Sequence, residues 1–463
     1  MTSPKRLLAA LTAPGDAGLS REAAQALSEK IVKMSKADAI NVTINAGLNT
    51  NVRFAANQLS TAGSTVDANV AVQSAFGPKH AVVTTNDLSE EALQRTVAQA
   101  ERLAKLAPDD PESMPELDPQ KYVSVDGWFD ATAGVTADDR AKAALSALEP
   151  ARAAGDVTAA GFLIAGAGMN SVANQKGLFA YFRSTSSNYT LTVRTKDGTG
   201  SGWAAADHPD WKEIDFAAVA KRAIDKARAS RTPQKAEPGR YTVILEAQAV
   251  GDLVQLVGNY TDARASDEGR SPFVKQGGGN KIGEKIVDNR VTIFSDPADP
   301  QLLAQPFDGE GFPISRQVWV ANGTLKQLYY SRFWARKQGK QPTGAPSSLK
   351  MSGGSASMDE MIKSTERGIL VTRFWYIRGV DPRSLVSTGL TRDGTYLIEN
   401  GKISHPVKNF RFNESPIFFL NNLEMMGPSI RINASEALGA GGATIMPAIK
   451  VREFTFSSLS DAV

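Results

Sequence analysis

The side chains best suited to chemistry are scarce in this 463-residue chain, which has three histidines and no cysteine. Zinc, iron–sulfur and copper sites draw on imidazole and thiolate, and nucleophilic catalysis usually needs a Cys, or a Ser beside a His. His80, His208 and His405 show no ligand-like spacing, so carboxylates, amides, the backbone or a partner must meet any function. The acids Asp296, Asp299, Asp308 and Glu310 could serve carboxylate-pair chemistry or a hard metal. Asp-Pro and Asp-Gly are turn dipeptides, and solvated turn acids are the favoured reading. Glycine clusters at Gly277–Gly279 and Gly439–Gly442 could cradle phosphate, but neither has a dinucleotide or Walker spacing. The run Tyr329–Lys337 is rich in aromatic and basic residues. It could stack single-stranded nucleic acid, or end a hairpin strand with its aromatics in the core and Arg332, Arg336 and Lys337 outside.

Composition narrows the classes. An apolar fraction of 42% and a charged fraction of 22% describe an ordinary globular protein of two to three domains. A net charge of +3 is no electrostatic footprint for nucleic acid. Absence of cysteine suits a reducing compartment. Lys5-Arg6 and the short apolar run Leu7–Leu11 fall short of a signal peptide, so a cytoplasmic location is expected.

The elements that must position any site are legible in part. A helix is expected over Ser20–Ser35, then strands over Ala39–Ile44, Val52–Ala56, Thr65–Val72 and Ala81–Thr84, and a second helix from a capping pattern at Asp87–Glu90 to Pro108. Pro108–Pro119 reads as a linker. A helix opens at Thr136, with Asp139 in capping spacing, strands follow over Gly161–Arg194, and an amphipathic helix starts at Phe216. Beyond the boundary stretch Arg228–Gly239, strands dominate. Asn322-Gly323 and Asn400-Gly401 mark hairpins, a helix spans Val250–Tyr260, and Ser357 with Glu360 opens another. The expected architecture is α+β: an N-terminal helix-on-antiparallel-sheet region (18–107), a central α+β segment (120–228) and a large β-rich C-terminal domain (239–461).

Ordered motifs over about half the chain resemble the TldD/PmbA family of peptidase-related proteins, once called modulators of DNA gyrase. They are Asn280–Ile286, Val291–Ile293, Asp296-Pro297, Pro306–Gly311, Asn322–Leu325, Ala335–Gly339 and Pro342–Gly344, then Gly368–Thr372, Leu397–Ile403 and Pro406-Val407. In the front half, Arg53–Ala55, Asp87–Ser89 and Ala173–Leu178 fit more weakly. The resemblance implies a zinc peptidase with His-Glu-x-x-x-His on a helix and a cysteine ligand near the C-terminus. Imidazoles and thiolate hold the metal while the Glu acts as base on its water.

Anchored on Val243–Leu245 and Gly251, that motif falls on Gln255 and Tyr260 for the histidines and Leu256 for the glutamate, while Arg431–Ala443 supplies no cysteine. A vacated site is what the resemblance assigns to the TldE (PmbA)-like branch. The chain is then expected to be a non-catalytic, metal-free pseudoenzyme subunit of a TldD/TldE-type heterodimeric metallopeptidase. It would bind no cofactor itself, with zinc on the TldD-like partner, and a homodimer would form where that partner is absent. It would line a chamber and hold unfolded peptides, in peptide maturation or proteolysis. Phe307, Asp308, Glu310, Gly311, Pro342, Thr343 and Gly344 are the substrate-groove candidates. Two alternatives are an autonomous hydrolase using acids such as Asp308 and Glu310, and a gyrase- or nucleic-acid-directed binding module.

Overall fold

A computed structural model describes residues 18–346, 348–433 and 443–460. The Lys5–Leu11 run and the Gly439–Gly442 cluster lie outside the described residues. The front of the chain builds one antiparallel sheet from β1 (Ala39–Ala55), β2 (Gln58–Phe76), β3 (Lys79–Thr85), β4 (Val157–Asn174), β5 (Phe179–Thr195) and β6 (Ser201–His208), in the order β3-β2-β1-β4-β5-β6. Pairing of β1 with β4 over its length, Asn41 opposite Asn174 to Phe54 opposite Gly161, runs the sheet continuously across the linker.

Strand alternation sorts the side chains into two faces. Ile40, Val42, Ile44, Val70 and Val72 are buried together with Leu27, Ile31, Leu93 and Val97 from helices Arg21–Met34 and Glu90–Leu106. On the same face, Leu163, Tyr189, Leu191 and Val193 pack with Leu148, Val219 and Ile224 from helices Ala137–Ala154 and Phe216–Ala229. The intervening residues of β1, Asn41, Thr43, Asn45, Gly47, Asn49 and Asn51, fall on the opposite face, toward the rest of the chain.

Two expected strands, Ala39–Ile44 and Val52–Ala56, are parts of β1. The polar stretch between them stays extended because β2 and β4 hydrogen-bond it from both sides. The second helix is capped by Ser89, which accepts from Ala92 N at 3.3 Å, while Asp87 bonds Ser89 N and precedes the cap. The capping boxes at Thr136/Asp139 and Ser357/Glu360 are both closed.

The C-terminal part is β-rich. Its centre is β7 (Gly239–Leu245), antiparallel to the long strand Thr444–Leu459 on one side and parallel to Arg367–Val371 on the other. Phe374, Phe410, Phe412, Phe419, Phe454 and Phe456 stack into its core. Both Asn-Gly hairpins form with positive φ at both turn residues, 48° and 74° at Asn322-Gly323 and 50° and 73° at Asn400-Gly401, the left-handed geometry of a tight hairpin turn. Tyr329–Lys337 departs from the expected strand. Ser331 caps Trp334 N, and a helix runs Arg332–Gln338 until Gly339 turns left-handed. Trp334 is buried as expected, but Arg332 is also largely enclosed, ion-paired with Glu310. No helix among the described residues is long and apolar enough to cross a membrane.

Candidate functional site

The polar face of the six-stranded sheet and the β-rich part enclose a cleft of about 640 Å³. Its floor carries Asn45, Gly47 and Asn49 from β1, Asn69 from β2, Gly166, Gly168 and Asn170 from β4, and Ser184 and Ser186 from β5. The facing wall is the Leu302–Gln305 segment with Arg431, Ile432 and Thr444. Two contacts pin the walls together. Arg431 reaches Asp207 on β6 through Nε at 2.9 Å and Nη2 at 2.8 Å, and Nη1 donates to Gln301 O at 2.6 Å. Asn188 Nδ2 donates to Asn433 Oδ1 at 2.7 Å.

Behind that wall lies the helix on which the resemblance places the metal motif. It runs Ala247–Asn259 directly after β7, buries Val250, Leu253, Val254 and Val257, and comes so close to the cleft wall that a Cβ on Gly251 would lie 1.9 Å from Ile432 Cδ1. Gln248 Oε1 accepts from Asn433 N at 3.2 Å, and the buried Asp252 accepts from Gln248 Nε2 and Phe374 N at 2.9 Å each. Gln255 is 6% exposed, and its Nε2 finds no hydrogen-bond acceptor among the described residues. Leu256 packs against the apolar core. Tyr260 follows the last helical residue and lines a separate pocket with Arg270 and Arg383. An amide, an alkyl chain and a phenol are a poor donor set for zinc, which takes imidazole, thiolate or carboxylate. Among the described residues, no three His, Asp or Glu side chains converge as a ligand set. These positions do not fit zinc.

The histidines are dispersed. His80 lies 3.7 Å from Asp110, His208 accepts from Asp210 N at the cleft rim, and His405 contacts Ser404 on an edge strand. Gly277–Gly279 form an open turn with φ of 91°, 112° and 78° and nothing within 4 Å of their added Cβ positions.

The groove candidates form two packing sites. Phe307 is buried with Leu178, Ala180 and Phe182, against Tyr122 of the linker side. Gly311 abuts Leu178, and its carbonyl accepts the Tyr122 hydroxyl at 2.8 Å. Burial, with the nearby Asp308 charge, pushes that phenol up to about 12. Asp308 is no solvated acid. Its Oδ1 accepts from Glu310 N and Phe312 N at 2.9 Å each, and burial raises the carboxyl above its ordinary range. Glu310 is exposed and pairs with Arg332, whose Nη2 also holds Pro115 O. Thr343 Oγ1 accepts from Tyr330 N, Gly344 abuts Ile314, and Pro342 leads into this pair. The wall of the large cleft begins just upstream, at Leu302–Gln305. Sequence reasoning missed the asparagine floor. Its signal was present, as Asn41, Asn45, Asn49 and Asn51 recur at even spacing through a β-alternating stretch.

Fold and cleft define the class first: an α+β protein in which a helix-backed antiparallel sheet closes over a β-rich unit. The same architecture occurs in TldE from Thermococcus kodakarensis, with a TM-score of 0.82 and 17% identity over 93% of this chain and all of that one. It occurs also in a protein described as a modulator of a DNA gyrase from Thermotoga maritima, with a TM-score of 0.82 and 19% identity over 94% of this chain and all of that one.

The particular family follows from the sequence. PmbA/TldA metallopeptidase models match in chain order: domain 1 at residues 42–104, the central domain at 132–231 and the C-terminal domain at 238–458. The chain belongs to this family. It is 27% identical to a metalloprotease of Methanothermobacter thermautotrophicus over 51% of this chain and 52% of that protein, so it spans about half of that relative's length. It is 24% identical to the metalloprotease PmbA of Escherichia coli O157:H7 over 79% of this chain and 82% of that protein.

Proposed function

We propose that this chain is a TldE-like, non-catalytic subunit of a two-chain metallopeptidase, walling a chamber and holding unfolded peptide for a zinc-bearing TldD-like partner. The observation that carries the reading is the replacement of the motif. On the resemblance, Gln255, Leu256 and Tyr260 take the places of two ligands and a base, the first two on the packed helix Ala247–Asn259 and the third just past its end. Such a helix still braces the cleft wall through Gly251 and Gln248. Catalysis would rest on the partner's metal, which supplies a nucleophilic water at neutral pH. This chain's part is to bind and orient. A cysteine-free surface suits work in a reducing cytoplasm.

The test is to purify the chain and measure zinc content and peptide hydrolysis, alone and mixed with a family member that carries His-Glu-x-x-x-His. Activity and zinc confined to the mixture support the reading. Stoichiometric zinc with cleavage by this chain alone overturns it.

A further inference from the structure

The cleft floor has a regular construction. Across the sheet, Asn69, Asn45 and Asn170 lie in one register row; Asp67, Gly47, Gly168 and Ser184 form the next; Asn49, Gly166 and Ser186 belong to a third. Rows two residues apart along a strand are separated by about 7 Å, and four strands span about 14 Å. The middle row must stay bare at its centre. A Cβ on Gly47 would lie 2.6 Å from Ala167 O, and one on Gly168 would lie 2.8 Å from Ala46 O. A shallow glycine trough therefore runs between two polar ridges, one of Asn69, Asn45 and Asn170 and one of Asn49 and Ser186.

Those ridges hold unspent hydrogen-bonding capacity. The side chains of Asn49 and Asn69 bond to nothing among the described residues. Asn45 accepts from Asn170 Nδ2 and, among the described residues, leaves its own N–H groups unused. Asparagine is a poor strand residue, and a sheet face serving stability alone would favour threonine or valine. The lining has no stacked aromatic platform of the kind that holds bases. Among the described residues its one Lys or Arg, Arg431, is paired with Asp207, which argues against a phosphate backbone. Side-chain amides offer a donor and an acceptor each, the pattern of the peptide bond itself.

We propose that this trough is a main-chain reader. An extended, uncharged stretch of about four peptide residues lies over Gly47 and Gly168, and its amides bond to the asparagines on either side. Contact is with the sheet's face through side chains, whereas β-augmentation uses the backbone groups of a sheet edge. The inference deepens the peptide-holding reading above and rests on it.

The test uses the full chain and a fluorescein-labelled 12-residue peptide of Gly, Ser and Ala, followed by anisotropy. Saturable binding is expected, changing by less than about twofold between 50 and 500 mM NaCl, because no ion pair carries it. An N-methylated peptide of the same sequence should bind at least about tenfold more weakly. Asn49→Thr and Asn69→Thr should each weaken binding roughly 2- to 10-fold, one hydrogen bond's worth, while the melting temperature holds or rises. Absent binding, equal affinity for the N-methylated peptide, or threonine variants that bind like the parent would each overturn the inference. Stimulation of a zinc-bearing partner's hydrolysis is read separately. If it persists while the threonine variants bind normally, the trough reading falls and the subunit role stands. If the parent chain never stimulates, the subunit role falls.

Discussion

Replacing Asp308 separates a structural acid from a catalytic one. Its Oδ1 alone accepts both Glu310 N and Phe312 N. The loop it shapes carries Gly311, whose carbonyl anchors Tyr122, and follows Phe307, buried between the sheet and the linker side. Asp308→Ala strands two backbone donors at a half-buried site, where each orphaned group costs about 1–3 kcal/mol, offset in part by release of a buried charge. A net loss of about 1–3 kcal/mol is expected, a few degrees in melting temperature. Asp308→Asn keeps an oxygen in the same place and should lose less than about 1 kcal/mol. The pH dependence has a definite sign. Burial raises this carboxyl in the folded state, so its protonated form is the stabilising one. That contribution is complete below the unfolded value near 3.8 and is lost as pH rises through the folded value. The asparagine variant has no such loss, so its stability relative to the parent should improve from pH 4 toward neutrality. Thermal unfolding followed by tryptophan fluorescence at several pH values measures both effects. Equal damage by Asn and Ala, or an asparagine variant that worsens as pH rises, would refute the turn-acceptor reasoning. Loss of hydrolysis in a complex with a zinc-bearing partner on Asp308→Asn, with melting unchanged, would restore the catalytic-acid alternative.

Other outcomes follow from the same geometry. The triple change Gln255→His, Leu256→Glu and Tyr260→His supplies at most two imidazoles where a catalytic zinc site takes three protein ligands. Atomic absorption after dialysis should find no stoichiometric zinc. Arg431→Ala removes a partly buried contact to Asp207 and should cost about 1–3 kcal/mol, between surface and buried pairs. It should also speed hydrogen exchange on β6 beside the cleft. Phe454→Ala opens a cavity among Phe374, Phe412 and Phe456 and should cost about 3–5 kcal/mol by calorimetry. Arg332→Ala releases both Glu310 and Pro115 O. Limited proteolysis should then cut faster within residues 108–119.

Local signals in the sequence were the reliable ones. Thr136 with Asp139, Ser357 with Glu360, and both Asn-Gly turns each declare a geometry that neighbours a few residues away complete. Continuity of β1 was hidden, because Asn45–Asn51 has loop-like composition and is held straight by strands distant in sequence. Tyr329–Lys337 misled for a related reason: its aromatic and basic residues suggested the amphipathic end of a hairpin strand, while the Ser331 cap decided for a helix. The motif positions that the resemblance implies could be named because they are sequential. The cleft floor could not, since Asn45 and Asn170 meet 125 residues apart in the chain. Asp308 read as a surface turn acid because its turn was visible and the wall that buries it was not.

Pairing of β1 with β4 also sets a schedule for the newborn chain. Thr50 waits for Ala165, 115 residues downstream, which is roughly 6 to 23 seconds of synthesis at ordinary ribosomal rates. During that interval the β1–β2–β3 meander has an open 17-residue edge, the kind of template on which chains aggregate. One side of that strand is already sealed by its helices. The other is asparagine, threonine and glycine, wet enough to keep the half-built sheet in solution until its second half arrives.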